Sequence, residues 1–365
     1  MTDRAAESIR AWAELVDSLA AAGHTVAGVP GGDEVDLAEG YRYVLNVLGD
    51  QLDRAALRDS SQPLFLPGVT PVRKLFFDNP DAGYDTALVA GGRTYRITGT
   101  RGTATYLAFC VYSGTRADET RVANLADADM VFGADGSFEI VLSPTEPASA
   151  PNWIRLDPDA HTVIARQYFL DRATERPARY RIERVEAEGD RRPDPPLDAA
   201  SFARVARSTG RFVTAATGLA RRRAEQAWGR PNRFVEISGH GVYGTPDAGY
   251  VACWYELGPG EALVVEARPP RCRYWGVHLA NLWGQSLDHR TRTTSLNART
   301  AATGAGGSVR VVVAHTDAGE ANWLDTAGHP RGWVLFRWLL AHEAVVPDAR
   351  VVAMHEDRDG AVRPA

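Results

Sequence analysis

Apolar positions change their period along the chain, and each change predicts a change of element. Over 2–22, Ile9, Trp12, Ala13, Val16, Leu19 and Ala20 recur at helical spacing, and Gly23 ends the run. A second stripe, Leu37, Tyr41, Val44, Leu45, Leu48 and Leu52, predicts a helix over 34–57. A turn-rich stretch follows, with Pro63, Pro67, Gly68 and Pro71. From about 75 to 184 the period shortens to that of strands. Runs at 86–90, 94–99, 106–112, 138–142, 162–170 and 180–185 alternate or are rich in β-branched and aromatic residues. A charged, proline-rich linker occupies 188–196. Helical spacing returns over 198–228, where Phe202, Val205, Phe212, Val213 and Leu219 give a partial apolar face. A second β region runs over 234–354.

The two β regions repeat each other. Pro-Asp-Ala-Gly-Tyr occurs at 80–84 and at 246–250, and a Tyr opens similar strands at Tyr106 and Tyr274. Asn-Trp occurs at 152–153 and 322–323. Arg166 matches Arg337, each inside an apolar run. Four matches in the same order predict two copies of one module and not a solenoid array, since two long units are too few. The expected fold is mainly β with α-helical segments: two tandem duplicated jelly-roll-like β-sandwich modules with N-terminal and inter-module helices. The boundaries expected are a helical segment at 1–74, a first module at 75–187, linker and helix at 188–230, and a second module at 231–365.

The chain has 365 residues, 44% hydrophobic and 24% charged, the balance of a globular protein. No apolar run approaches the roughly 18 residues of a spanning helix, so no membrane partner is expected. The start, with acidic and basic residues alternating, has no secretory pattern, and a cytoplasmic location is the expectation. A net charge of −5 does not suggest a nucleic-acid partner. Cys110, Cys253 and Cys272 form no CxxC pair, which argues against a disulfide scaffold and a structural zinc site. Arg221, Arg222 and Arg223 read as a solvated helix end whose charge suits the helix dipole.

The second module carries a recognisable series. Tyr-Trp-Gly-Val-His-Leu at 274–279 precedes Ser-Leu-Asn-Ala-Arg-Thr at 295–300, Asn-Trp-Leu at 322–324 and a closing strand, Trp-Val-Leu-Phe-Arg-Trp-Leu, at 333–339. It resembles the bacterial family called domain of unknown function 1214 over about the last 100 residues. The resemblance implies a jelly-roll-type sandwich, often with a second β module before it, and no established reaction.

Residues kept in both copies read first as structural. For Asn322, Trp323 and Arg337 the alternative is convergence on a pocket for an anionic or carbonyl group. Residues present once are the better functional candidates. His278 stands where the first module has Cys110, and alternation puts it on one face with Tyr274, Gly276 and Ala280. The loop 281–292 holds Asn281, Trp283, Asp288, His289, Arg290 and Arg292. His titrates near neutrality, so an Asp-His pair suits acid–base work. The candidate catalytic set is His278, His289, Asp288 and Arg290. The candidate substrate-binding set is Tyr274, Asn281, Trp283, Arg299, Asn322, Trp323 and Arg337. His278 and His315 would bind a metal only if their strands were neighbours, and no metal or cofactor is expected. The glycine-rich stretches at 304–307 and 239–244 read as turns. Two functions lead, ahead of a structural or assembly role. One is a hydrolase, lyase or isomerase acting on a small, largely apolar metabolite by acid–base chemistry without a redox cofactor. The other is a non-catalytic binding module for a sugar, lipid or lipid-like metabolite. A small-molecule ligand is the expected partner; a homo-oligomer is left open.

Overall fold

The computed structural model describes residues 3–56, 60–114, 120–185, 197–237, 244–356 and 362–364. The linker at 188–196, most of the glycine-rich stretch at 239–244 and Leu57 at the end of the second predicted helix lie outside the described residues. Two helices come first, α1 (Asp3–Ala27) and α2 (Glu34–Ala56). The first module follows: β1 (Leu66–Val69), β2 (Ala82–Leu88), β3 (Tyr95–Thr100), β4 (Tyr106–Ser113), β5 (Arg121–Ala126), β6 (Ser137–Ser143), β7 (Trp153–Arg155), β8 (Ala160–Tyr168) and β9 (Arg179–Arg184). A long helix, α3 (Ala199–Trp228), starts on Asp198, whose carboxylate accepts from the Ser201 amide and satisfies one of the free donors there. The second module comprises β10 (Phe234–Ile237), β11 (Ala248–Glu256), β12 (Glu261–Ala267), β13 (Tyr274–Ala280), β14 (Ser295–Asn297), β15 (Val309–Ala314), β16 (Trp323–Asp325), β17 (Arg331–Leu339), β18 (Asp348–Glu356) and β19 (Val362–Pro364).

Duplication holds at the level of register. The first module pairs a sheet ordered β1-β2-β8-β4-β5 with one ordered β7-β6-β3-β9. The second repeats both orders as β10-β11-β17-β13-β14 and β16-β15-β12-β18, with β19 added. Tyr84 lies opposite Arg166, and Arg166 opposite Ala108; Tyr250 lies opposite Arg337, and Arg337 opposite Gly276. β1 falls inside the stretch read from sequence as helical and turn-rich, and pairs with β2.

Each module closes a sandwich core between its two sheets. Leu107, Phe109 and Val111 meet Ile97, Ile140 and Leu142 in the first; Val277, Leu279 and Val334 meet Leu263, Val311 and Val313 in the second. The other face of each five-stranded sheet is covered too, which is why β4 and β13 are buried at every position instead of alternating.

The helices do not bury the whole of the apolar stripe in the sequence: α1 turns most of it outward, and α2 buries only part of it. α1 packs on α3 through Ala11 and Leu15 against Ala203 and Ala206, and Gly210 sits against Ser18. Small residues let the two backbones approach, so the larger Ile9 and Trp12 point to solvent, 56% and 59% exposed. On α2, Tyr43, Val44 and Val47 are buried, whereas Tyr41, Leu45 and Leu52 are exposed. The three helices cover the second module, where Trp254, Trp283 and Trp333 join Tyr43, Val47 and Val213 in one cluster. Among the described residues no helix is long and apolar enough to cross a membrane.

Candidate functional site

The two five-stranded sheets face each other, and matched tyrosines join them at one end. Tyr106 donates its hydroxyl to Asp247 at 2.6 Å, and Tyr274 donates to Asp81 at 2.7 Å. Asn124 and Asn297 donate to the same two carboxylates at 2.8 and 3.1 Å. The Asp of each repeated Pro-Asp-Ala-Gly-Tyr turn therefore binds the other module. Burial pushes Asp81 above the usual carboxylate range, against the pull of the Tyr274 and Asn297 hydrogen bonds. Gly276 is required for this contact, because a Cβ there would stand 2.2 Å from the Tyr274 hydroxyl.

Beyond this seam the facing surfaces line a half-open cavity of about 430 Å³, within the roughly 300–1,000 Å³ of small-molecule pockets. The first module contributes Tyr84, Thr86, Ile164, Arg166 and Tyr168; the second contributes Ile237, Tyr250, Trp333, Leu335 and Arg337. Leu75, Phe76 and Phe77 close one side. Phe212 and Arg223 from α3, with Asp50 and Arg54 from α2, close another. The apolar wall is broken by a few charged groups, the composition expected of a ligand site.

Arg337 is the most constrained of these groups. It is 4% exposed. Its Nη1 donates to Nδ1 of His278 at 3.0 Å, and its Nη2 donates to the Phe77 carbonyl. The same Nη1 lies 3.4 Å from Nε2; a guanidinium has no lone pair to offer, so the imidazole can only accept from it. Burial first, and the Arg337 charge second, push His278 well below the ordinary imidazole range, so the ring is neutral. The Tyr250 ring lies 5.7 Å from the Arg337 guanidinium carbon. Across the cavity Arg166 donates to the Tyr112 hydroxyl at 2.7 Å and stands 5.7 Å from the Tyr84 ring centre.

The turn that supplies the Phe77 carbonyl is strained. Phe76 and Phe77 have φ of 54° and 56°, in the left-handed region where bulky residues rarely sit. The Phe77 amide is fixed by the Gly284 carbonyl at 2.7 Å. Next to it Asp78 accepts from both the amide and the hydroxyl of Ser286, at 3.0 and 2.6 Å. Burial pushes Asp78 up, although Ser286, Lys74 and Arg337 all pull it down. Lys74, the chain's only lysine, donates to the Ser286 and Leu287 carbonyls at 2.6 and 2.8 Å.

The structure distributes the residues singled out from sequence. Arg337 lines the cavity, His278 touches Arg337, and Tyr274 belongs to the seam. Asp288 accepts from the Arg290 amide and the Thr291 hydroxyl, capping its own turn, and no hydrogen bond joins it to His289. The Nδ1 of His289 is buried without a partner among the described residues. Arg290 bonds Asp288 on the surface, and Arg299 pairs with Asp171 at 3.3 Å with 61% of its side chain exposed. Asn281 accepts from the Trp283 and Gln285 amides and holds a buried turn. Trp283 stacks on Tyr43 and donates to the Asp36 carbonyl at 2.8 Å, so it docks α2. Asn322 donates to the carbonyls of Ala302 and Arg310 and accepts from the Ala302 amide; Asn152 does the same with Glu139 and Val131. Trp323 donates to the Ala314 carbonyl. Of the candidates, Asn281, Trp283, Asn322 and Trp323 do not line the cavity. His315 bonds Thr326, and among the described residues no group of three or more His, Cys, Asp or Glu could hold a metal.

One expectation needs correcting. Arg221 donates to the Thr25 carbonyl near the end of α1, but Arg223 turns inward, 5.8 Å from the Phe77 ring, and joins the cavity wall. The triplet is therefore not uniformly solvated. Sequence reasoning also missed Tyr84 and Tyr250, although each ends the repeated Pro-Asp-Ala-Gly-Tyr motif. It missed Phe76, Phe77 and Asp78, whose role depends on a strained turn that no local pattern announces.

A family model described as "Protein of unknown function (DUF1214)" matches residues 79–169 and 261–342, one stretch in each module. The chain is similar to an uncharacterized protein from Burkholderia cenocepacia, known from a crystal structure. The identity is 35% over 94% of this chain and 96% of that one, with a TM-score of 0.88. A protein from Vibrio parahaemolyticus is 12% identical over 86% of this chain and 98% of its own, with a TM-score of 0.48. No curated protein matches.

Proposed function

This chain belongs to the DUF1214 family, whose membership carries no reaction, and from the cavity we propose that it binds a small, largely apolar molecule between its two modules. The observation that supports this is the half-open cavity of about 430 Å³, walled by aromatic and aliphatic side chains with a few charged groups among them. A strained turn at its wall is a second support, since strain of this kind is concentrated at ligand clamps and active sites. Native mass spectrometry of the protein as purified tests the reading. Extra mass released on mild activation, and absent from a cavity-filling Ile237→Trp variant, is expected. An identical adduct on both proteins contradicts it.

A second reading, acid–base turnover of the bound molecule, draws support from Asp78. Its buried carboxyl lies in the wall, and burial favours its protonated form. His278 then positions Arg337, which steadies negative charge. Loss of turnover of an identified substrate in Asp78→Asn is expected. Full turnover in Asp78→Asn, His278→Ala and His289→Ala would leave binding alone.

A further inference from the structure

We infer that the molecule held in this cavity carries a carboxylate, seated against Arg337 with Arg166 facing it from the opposing sheet. The inference rests on the cavity being the binding site and adds the chemical class of the ligand.

The argument is one of charge. Guanidinium stays ionised in proteins, and a buried charge is normally paired. The described hydrogen-bond partners of Arg337 are neutral, an imidazole nitrogen and a backbone carbonyl. No carboxylate among the described residues forms an ion pair with it. The Tyr250 face offsets part of the charge, yet only some of the five N–H groups are used, and the side chain lines open space. The duplication places Arg166 in the same cavity, and α3 adds Arg223. The acidic wall residues are committed elsewhere, Asp50 to Arg54 at 2.9 Å and Asp78 to Ser286. The wall is therefore positive in a chain whose net charge is −5, so the excess is local and attracts an anion.

The geometry favours a carboxylate. Its two oxygens match the parallel donors of a guanidinium fork. Leu75, Phe76, Phe212, Trp333 and Leu335 would surround an apolar body.

Isothermal titration calorimetry of the full chain at pH 7, with 4-phenylbutanoate and with 4-phenylbutan-1-ol, tests this. The acid is expected to bind at least about tenfold more tightly than the alcohol, about 1.4 kcal/mol. In Arg337→Gln the ratio should fall to about one while the alcohol still binds, which also shows that the variant is folded. Arg337→Lys, which keeps the charge, should retain part of the preference. Equal binding of acid and alcohol to the natural protein would overturn the carboxylate and leave the cavity reading standing. An unchanged preference in Arg337→Gln would overturn the seat at Arg337. Failure of both probes to bind the natural protein would overturn the cavity reading itself.

Discussion

The two modules share strand order, register and a buried arginine, but only the second is built over by helices. That contrast separates three kinds of residue that look alike in sequence. Some kept residues hold each module together: Asn152 and Asn322 each tie a loop to a strand through one side-chain amide. Other kept residues hold the modules to each other, as Tyr106 and Tyr274 do through Asp247 and Asp81. Arg166 and Arg337 are also kept, yet they face the cavity. Residues present once have mixed roles: Trp283 docks α2, whereas Asn281 and Asp288 hold their own turns. Duplication thus sorts residues by register and not by role.

The largest break in the comparison should come at Trp283. Trp283→Ala removes the stacking on Tyr43 and the bond to Asp36, and should cost about 3–5 kcal/mol in urea unfolding. A loss below about 1 kcal/mol would show that the helices do not depend on it. Asn152→Ala and Asn322→Ala should each cost about 2–3 kcal/mol, because backbone groups buried beside each amide lose their partners. Unequal losses would mean that the two copies have diverged in what this amide supports. Tyr106→Phe and Tyr274→Phe should cost about 1–2 kcal/mol each, and the symmetry of the seam predicts similar values.

The smallest effect is a pH dependence confined to the second module. His329 lies 3.1 Å from Glu39 of α2. Burial opposes charge on His329, but the hydrogen bond and charge of Glu39, together with the Thr326 carbonyl and Asp36, raise His329 above its ordinary 6.5. Glu39 is lowered from 4.5, with burial opposing and His329 prevailing. The histidine's contribution is complete below 6.5 and is lost as pH rises through its raised value. The glutamate's contribution is present above 4.5 and is lost as pH falls through its lowered value. Stability measured by thermal unfolding should therefore decline as pH rises past 6.5, and His329→Gln should remove that decline. A decline that persists in the variant assigns it to another group.

Much of the fold is legible in the sequence because its signals are local. The third helix, predicted over 198–228, needed only its apolar spacing, and α3 begins one residue later. The repeat was legible because its four matches fall at equivalent strand positions, from Ala82 and Ala248 to Arg166 and Arg337. The faces of α1 and α2 were not, because spacing marks a stripe without saying whether small or large residues will be buried. Ala11 packs where Trp12 would hold the helices apart. Of the site, Arg337 stood out as a charge in an apolar strand. The rest of the wall is assembled from both sheets, a strained turn and two helices, contacts between residues far apart in sequence.

A crystal structure with 4-phenylbutanoate bound tests the central claim most directly. Density for the probe between the two sheets, with its carboxylate on Arg337 and its ring among Phe212, Trp333 and Leu335, is the predicted result. A cavity holding only water, with the probe seated instead on the exposed face of α1 and α2 around Trp12 and Leu45, would contradict it.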